Sequence, residues 1–215
     1  MMRGRGRRSA PREAKPRMLI VCEGKRTEPN YFEGFRREHH NVIISVRESP
    51  GKAPAQIVRC AIERADELDI GKVPGDSVWC VFDVDECSDD EMRKAVELAD
   101  GRLKLAVSNP CFELWFLLHF RYTDKRMDTC REVIGALQRH MPGYDKAGDH
   151  YDRLSPMSLT AIKNAERLEK GASGRGHAVH HRDANPCTGV HHLVADIISG
   201  GQGPPKGRRK DRSAA

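Results

Sequence analysis

No stretch of this chain is apolar for long enough to span a bilayer. The longest apolar run, Cys111 to Phe120, is interrupted by Glu113 and His119 and falls short of the ~20 residues that a crossing helix needs. The Arg-rich beginning leads into no apolar segment of signal-peptide length. The seven cysteines (Cys22, Cys60, Cys80, Cys87, Cys111, Cys130 and Cys187) include no C-x-x-C pair, which argues against a thioredoxin-like redox motif or a common zinc ribbon. Odd in number and mostly set in apolar runs, they read as reduced, buried thiols. These absences lead to the expectation of a cytoplasmic protein with no membrane association. A G-x-x-x-x-G-K-[ST] phosphate loop is also missing, so any ATP hydrolysis would come from a partner chain. No internal repeat is visible.

Present in excess is positive charge, and only at the ends. Within 215 residues of formal net charge +6, residues 1–17 carry seven Lys or Arg against Glu13, and residues 199–215 carry five against Asp211. The middle of the chain is therefore acidic, at net −4. Gly-, Pro- and Arg-rich arms such as these bury little apolar surface but neutralise phosphates by releasing counterions. They read as disordered arms with affinity for nucleic acid, at 1–16 and 199–215, or equally as tails that aid solubility. The hydrophobic share of 38% against 32% charged fits one core with appendages. The expected division is an α/β core at 17–120 and a helical part of the same domain at 121–198.

The order of elements predicts a mostly parallel sheet with helices on both faces. Arg17 to Cys22 is a short apolar run that stops at Glu23-Gly24, as a strand buried on both faces does. Thr27 is a candidate cap for a helix with Pro29 in its first turn and Tyr31, Phe32 and Phe35 along one side. Residues 41–47 read as a second strand and Ala53 to Asp69 as a helix. Ser77 to Phe82 reads as a third strand, running into Asp83-Val84-Asp85-Glu86, followed by a helix over Asp89 to Ala99. Leu103 to Val107 is the fourth strand. Asn109 is then expected to cap, with Pro110 in the first helical position, a helix that is apolar nearly all round and holds Trp115 and Leu118 in the core. Helices are expected near 128–140, 156–170 and 188–198.

In an open parallel sheet the usable crevice lies beyond the carboxyl ends of the strands. Glu23 follows the first strand and Asp83 and Asp85 follow the third, so these carboxylates fall at one edge. Clustered carboxylates repel unless a cation or protons neutralise them, and a hard ion, Mg²⁺ or Mn²⁺, is the expected partner. Glu113, inside an apolar helix, either faces that crevice as a further metal ligand or pairs with a basic side chain. Lys25 and Arg26, just past Glu23, are candidate phosphate-binding residues, or else solvated turn residues.

Taken together, V-C-E-G-K-R-T-E-P-N-Y-F, F-D-V-D-E, S-N-P-C-F-E-L-W and N-P-C-T-G-V-H-H-L-V make residues 18–198 resemble the RloB-like family. That resemblance implies a role in abortive infection, the bacterial defence against phage, often beside a partner ATPase. The E-G block followed by D-x-D also resembles the topoisomerase-primase (Toprim) catalytic core. This second likeness implies that Glu23 is the catalytic glutamate, that Asp83 and Asp85 are the metal-binding pair, and that the chain is an Mg²⁺-dependent nuclease acting on DNA or RNA. Two rivals stand beside it. One is a non-enzymatic adaptor that binds nucleic acid with its arms and an ATPase with its core. The other is a zinc module built from His177, His180, His181, Cys187, His191 and His192, whose spacings match no common finger and which read otherwise as capping residues and surface histidines.

Overall fold

The structure, a computed structural model, describes residues 14–84, 87–177 and 181–200. Strands β1 (Arg17–Cys22), β2 (Ile43–Glu48), β3 (Ser77–Asp83), β4 (Lys104–Asn109) and β5 (Cys187–Thr188) form one sheet in the order β2-β1-β3-β4-β5. The first four are parallel, and the two-residue β5 closes the edge antiparallel to β4. Between and after them come α1 (Thr27–Glu38), α2 (Pro54–Glu67), α3 (Asp89–Ala99), α4 (Glu113–Phe120), α5 (Cys130–Leu137), α6 (Tyr151–Leu154), a 3₁₀ turn at Ser155–Met157, α7 (Ser158–Gly174) and α8 (Val190–Ile198).

Side chains of β1 and β3 alternate between two cores, as the two-residue period of a strand requires. Met18, Ile20, Cys22, Trp79 and Val81 join the core that also holds α1, α4, α5, α7 and α8. Leu19, Val21, Val78, Cys80 and Phe82 join the opposite one with α2 and α3. Burial on both faces is what turned these strands into unbroken apolar runs in the sequence. The α3 start is a capping box, with Ser88 Oγ accepting from the Glu91 backbone N–H and Glu91 accepting from the Ser88 N–H. On α4, Trp115 and Leu118 are completely buried, in line with the reading of this helix as central. Among the described residues no helix is long and apolar enough to cross a membrane.

Three expectations need correction. Asn109 does not cap α4: it is the last residue of β4, Pro110 follows through a cis peptide, and the helix begins at Glu113. The Asn109 amide is engaged elsewhere, donating to the Arg182 carbonyl at 2.9 Å and accepting from Asn185 Nδ2 at 3.1 Å. Thr27 is the first helical residue of α1 and not its cap, and its hydroxyl donates to the Lys146 carbonyl at 3.0 Å. The cysteines are not all free thiols. Packing of α4 against α5 joins Cys111 to Cys130 in a disulfide, while Cys22, Cys60, Cys80, Cys87 and Cys187 are free and buried. The expected arms fall largely outside the described residues. Of them, residues 14–16 are irregular and Ser199 and Gly200 turn off the end of α8.

Candidate functional site

The strand order puts a reversal between β1 and β3: the chain leaves β1 for β2 on one side, then crosses to β3 and β4 on the other. In open sheets, helices diverge at such a point and leave a crevice beyond the strand ends. Glu23 and Asp83 stand on either side of it. The Glu23 backbone N–H continues the ladder by donating to the Val81 carbonyl at 2.9 Å, and the Glu23 carboxylate accepts from the Asp83 backbone N–H at 3.2 Å. Both side chains are half-buried and line one cavity of about 550 Å³. Asp85, predicted to join them, lies outside the described residues.

Two further carboxylates face this cavity. Glu113, the first residue of α4, is buried; its Oε1 accepts from Tyr144 Oη at 3.0 Å and pairs with Lys146 Nζ at 3.1 Å, while its Oε2 lies 3.1 Å from Cys130 Sγ. The two alternatives posed for Glu113 thus coexist: it lines the crevice and it has a basic partner. Glu28 comes from the first turn of α1 and is 94% buried. Burial, with the Glu113 and Glu23 charges adding to it, pushes its carboxyl up to about 7, against the pull of its own and the Gly24 backbone N–H groups. Gly24 makes room for it, since a Cβ on that residue would sit 2.1 Å from Glu28 Oε2.

Cationic groups ring the carboxylates. Lys25, Arg26, Lys52 and Lys146 all line the cavity. Lys25 also pairs with Glu48 at 3.3 Å, with both side chains substantially exposed. Lys146 arrives on the loop after α5, which is tied to α1 by Thr27 and by Asn30 Nδ2 donating to the Ala147 carbonyl at 2.9 Å. Its own burial pulls the Lys146 ammonium down, but Glu113, Asp83 and Glu28 outweigh this and raise it. Glu28, Lys52 and Lys146 were not singled out in the sequence. For Glu28 a signal existed, an acidic residue inside the E-G-K-R-T-E block, but a first-turn acid reads equally well as a partner of the helix dipole.

The donor chemistry of the crevice suits a hard divalent cation: carboxylate oxygens from Glu23, Asp83, Glu28 and Glu113, with the nearby sulfurs of Cys111 and Cys130 tied up with each other. The histidine-rich segment does not assemble as one module. His177 and His181 stack at 5.3 Å near Asp183, whereas His191 and His192 meet Glu169 of α7. Cys187 is buried in β5, and His180 lies outside the described residues. His191 is buried as well, so it is not the surface histidine expected.

The family model described as RloB-like protein matches residues 18–197. No curated protein and no solved structure gives a match.

Proposed function

The chain belongs to the RloB-like family, and from the carboxylates gathered at its strand reversal we propose that it is a divalent-metal-dependent nuclease acting on DNA or RNA in antiviral defence. The observation that carries the nuclease reading is the meeting of Glu23, Asp83, Glu28 and Glu113 in a single cavity whose rim holds Lys25, Arg26, Lys52 and Lys146. The defence role and an ATPase partner rest on the likeness of the sequence motifs alone.

Acidic floor and basic rim have separable duties in phosphodiester hydrolysis. Glu23 and Asp83, with Glu113 and Asp85 as further candidates, would hold Mg²⁺ or Mn²⁺. When bound, such an ion supplies Lewis-acid polarisation of a phosphate and a more acidic water. Lys25, Arg26 and Lys52 are placed to draw the phosphate backbone across the cavity mouth. Lys146 keeps its charge beside Glu113 and so is a fixed positive group against the charge that develops on a phosphate oxygen. Glu28, with a carboxyl that titrates near neutrality, is able to hold or release a proton within the site.

The test is incubation of the purified chain with DNA and with total RNA, in Mg²⁺, in Mn²⁺ and in EDTA. Cutting that needs the metal supports the reading. Binding without cutting under every metal, for the chain alone and beside a candidate ATPase, would replace it with the adaptor reading.

A further inference from the structure

Away from that crevice, on the face of the sheet covered by α7 and α8, two histidines and a glutamate converge. His191 Nε2 lies 2.9 Å from Glu169 Oε2, and His192 Nε2 lies 3.0 Å from the same oxygen and 3.2 Å from Oε1. The imidazole rings are 3.9 Å apart, centroid to centroid. His191 Nδ1 sits 2.9 Å from the Thr188 carbonyl. A carbonyl oxygen carries no hydrogen, so Nδ1 must hold the ring proton, and Nε2 is the nitrogen turned toward the carboxylate. A backbone carbonyl that fixes the tautomer of a ligating histidine in this way is the usual support around a protein-bound metal.

With Nδ1 holding the ring proton, a neutral His191 turns its Nε2 lone pair toward the Glu169 carboxylate at 2.9 Å, a contact that needs a proton or a cation between the two atoms. A dication at the point of convergence satisfies two nitrogen lone pairs and an anionic oxygen together. Tetrahedral zinc at about 2.0–2.1 Å from each donor needs donors about 3.3 Å apart, so the two nitrogen-to-carboxylate separations require shifts of only a few tenths of an ångström, and all three donor atoms lie within 4.8 Å of one another. Imidazole nitrogens also favour zinc over the hard ions suited to the carboxylate crevice. Beside the cluster, a cavity of about 630 Å³ is lined by His191, His192, Glu166, Trp79 and Lys104 among others and shares no residue with the crevice.

We propose that Glu169, His191 and His192 form a zinc site that binds one ion between α7 and α8, separate from the nuclease crevice. The experiment uses the full chain, stripped with EDTA, desalted and titrated with Zn²⁺ against a chromophoric chelator, with melting followed in parallel. The expected result is one equivalent bound with a Kd below a micromolar and a Tm that rises on binding. His192→Ala, at an exposed side chain where folding is not at stake, and Glu169→Gln should each weaken binding at least tenfold and remove the Tm rise. Asp83→Asn and His181→Ala should leave both unchanged. Failure of the wild-type chain to take up zinc overturns the proposal, as does zinc binding that His192→Ala leaves intact or that depends on His181 in its place. If Glu169→Gln fails to fold by circular dichroism, His192→Ala alone decides.

Discussion

The Asp83 backbone N–H donates to the Glu23 carboxylate at 3.2 Å, tying the residue after β1 to the last residue of β3. Because the donor is main chain, Asp83→Asn removes a carboxylate charge without releasing Glu23. Metal-dependent cutting should fall by at least about 100-fold, while the Tm stays within a few degrees of wild type. Nuclease assays beside thermal melts check both halves. A variant that melts early and cuts normally would show that Asp83 is a structural residue.

Glu113 has two partners of different worth. Lys146 is 58% exposed, so its ion pair is screened, and Lys146→Met should change stability by less than about 1 kcal/mol while weakening substrate capture. Tyr144 is buried and its hydroxyl is a direct donor. Tyr144→Phe leaves a buried carboxylate oxygen short of a hydrogen bond and should cost about 1–3 kcal/mol. Urea denaturation of the two variants should rank them in that order.

Gly24 and Glu28 should prove coupled. The methyl added by Gly24→Ala would collide with the Glu28 carboxylate, and overpacking of this kind costs about 1–3 kcal/mol. Shortening Glu28 to Ala removes the obstacle. In a double-mutant cycle the pair should therefore be less destabilising than the sum of the single changes, by at least about 0.5 kcal/mol. Strict additivity would mean that the loop moves aside instead.

His119 sets an acid limit on stability. Burial holds its imidazole down at about 4, against the upward pull of hydrogen bonds to the backbone. It fits as a neutral ring, with Nδ1 donating to the Trp115 carbonyl at 2.9 Å and Tyr31 Oη 3.4 Å from Nε2. The unfolded chain, with an ordinary imidazole, binds the proton first, so between about pH 6.5 and 4 the unfolded state holds more protons. Stability should fall as pH drops through that window, by about 3 kcal/mol in total for this group. His119→Gln should flatten the slope of Tm against pH there, and an unchanged slope would assign the acid sensitivity to other groups.

Trp115 has no exposed surface and stands where α4 meets the rest of its core. Trp115→Ala should cost about 3–5 kcal/mol, read as an early denaturation midpoint. A loss below about 1 kcal/mol would show that the surroundings collapse to fill the space.

Legibility followed local physics. β1 and β3 announced themselves because both faces are buried, and the positions of Glu23 and Asp83 followed from the rule that crevices open at strand ends. The helix α2 was legible through the helical spacing of Ile57, Ala61 and Ala65, which the structure buries. What stayed hidden depends on chain segments far apart in sequence. Glu28 looks like any first-turn acid until the loop carrying Lys146 folds back on α1, and Asn109 looks like a helix cap until Asn185 arrives to occupy its amide. The Cys111–Cys130 bridge has no spacing signature and exists because α4 and α5 touch. A strand of two residues such as β5 carries too little pattern to be seen at all.

The meeting of Asn109 and Asn185 bears on how the chain can be divided. Asn185 also donates to the Met127 carbonyl at 2.7 Å, and Ser108 of β4 hydrogen-bonds Thr188 of β5 at 3.0 Å. A break placed between Phe120 and Arg121 would therefore split a single hydrogen-bonded seam. The first fragment, holding every parallel strand, would display an open β4 edge and an α4 that is greasy all round, and it should precipitate when expressed alone. Co-expressed, the two fragments should find each other and yield a soluble complex, which makes this seam a natural place to cut the protein for a two-piece reporter.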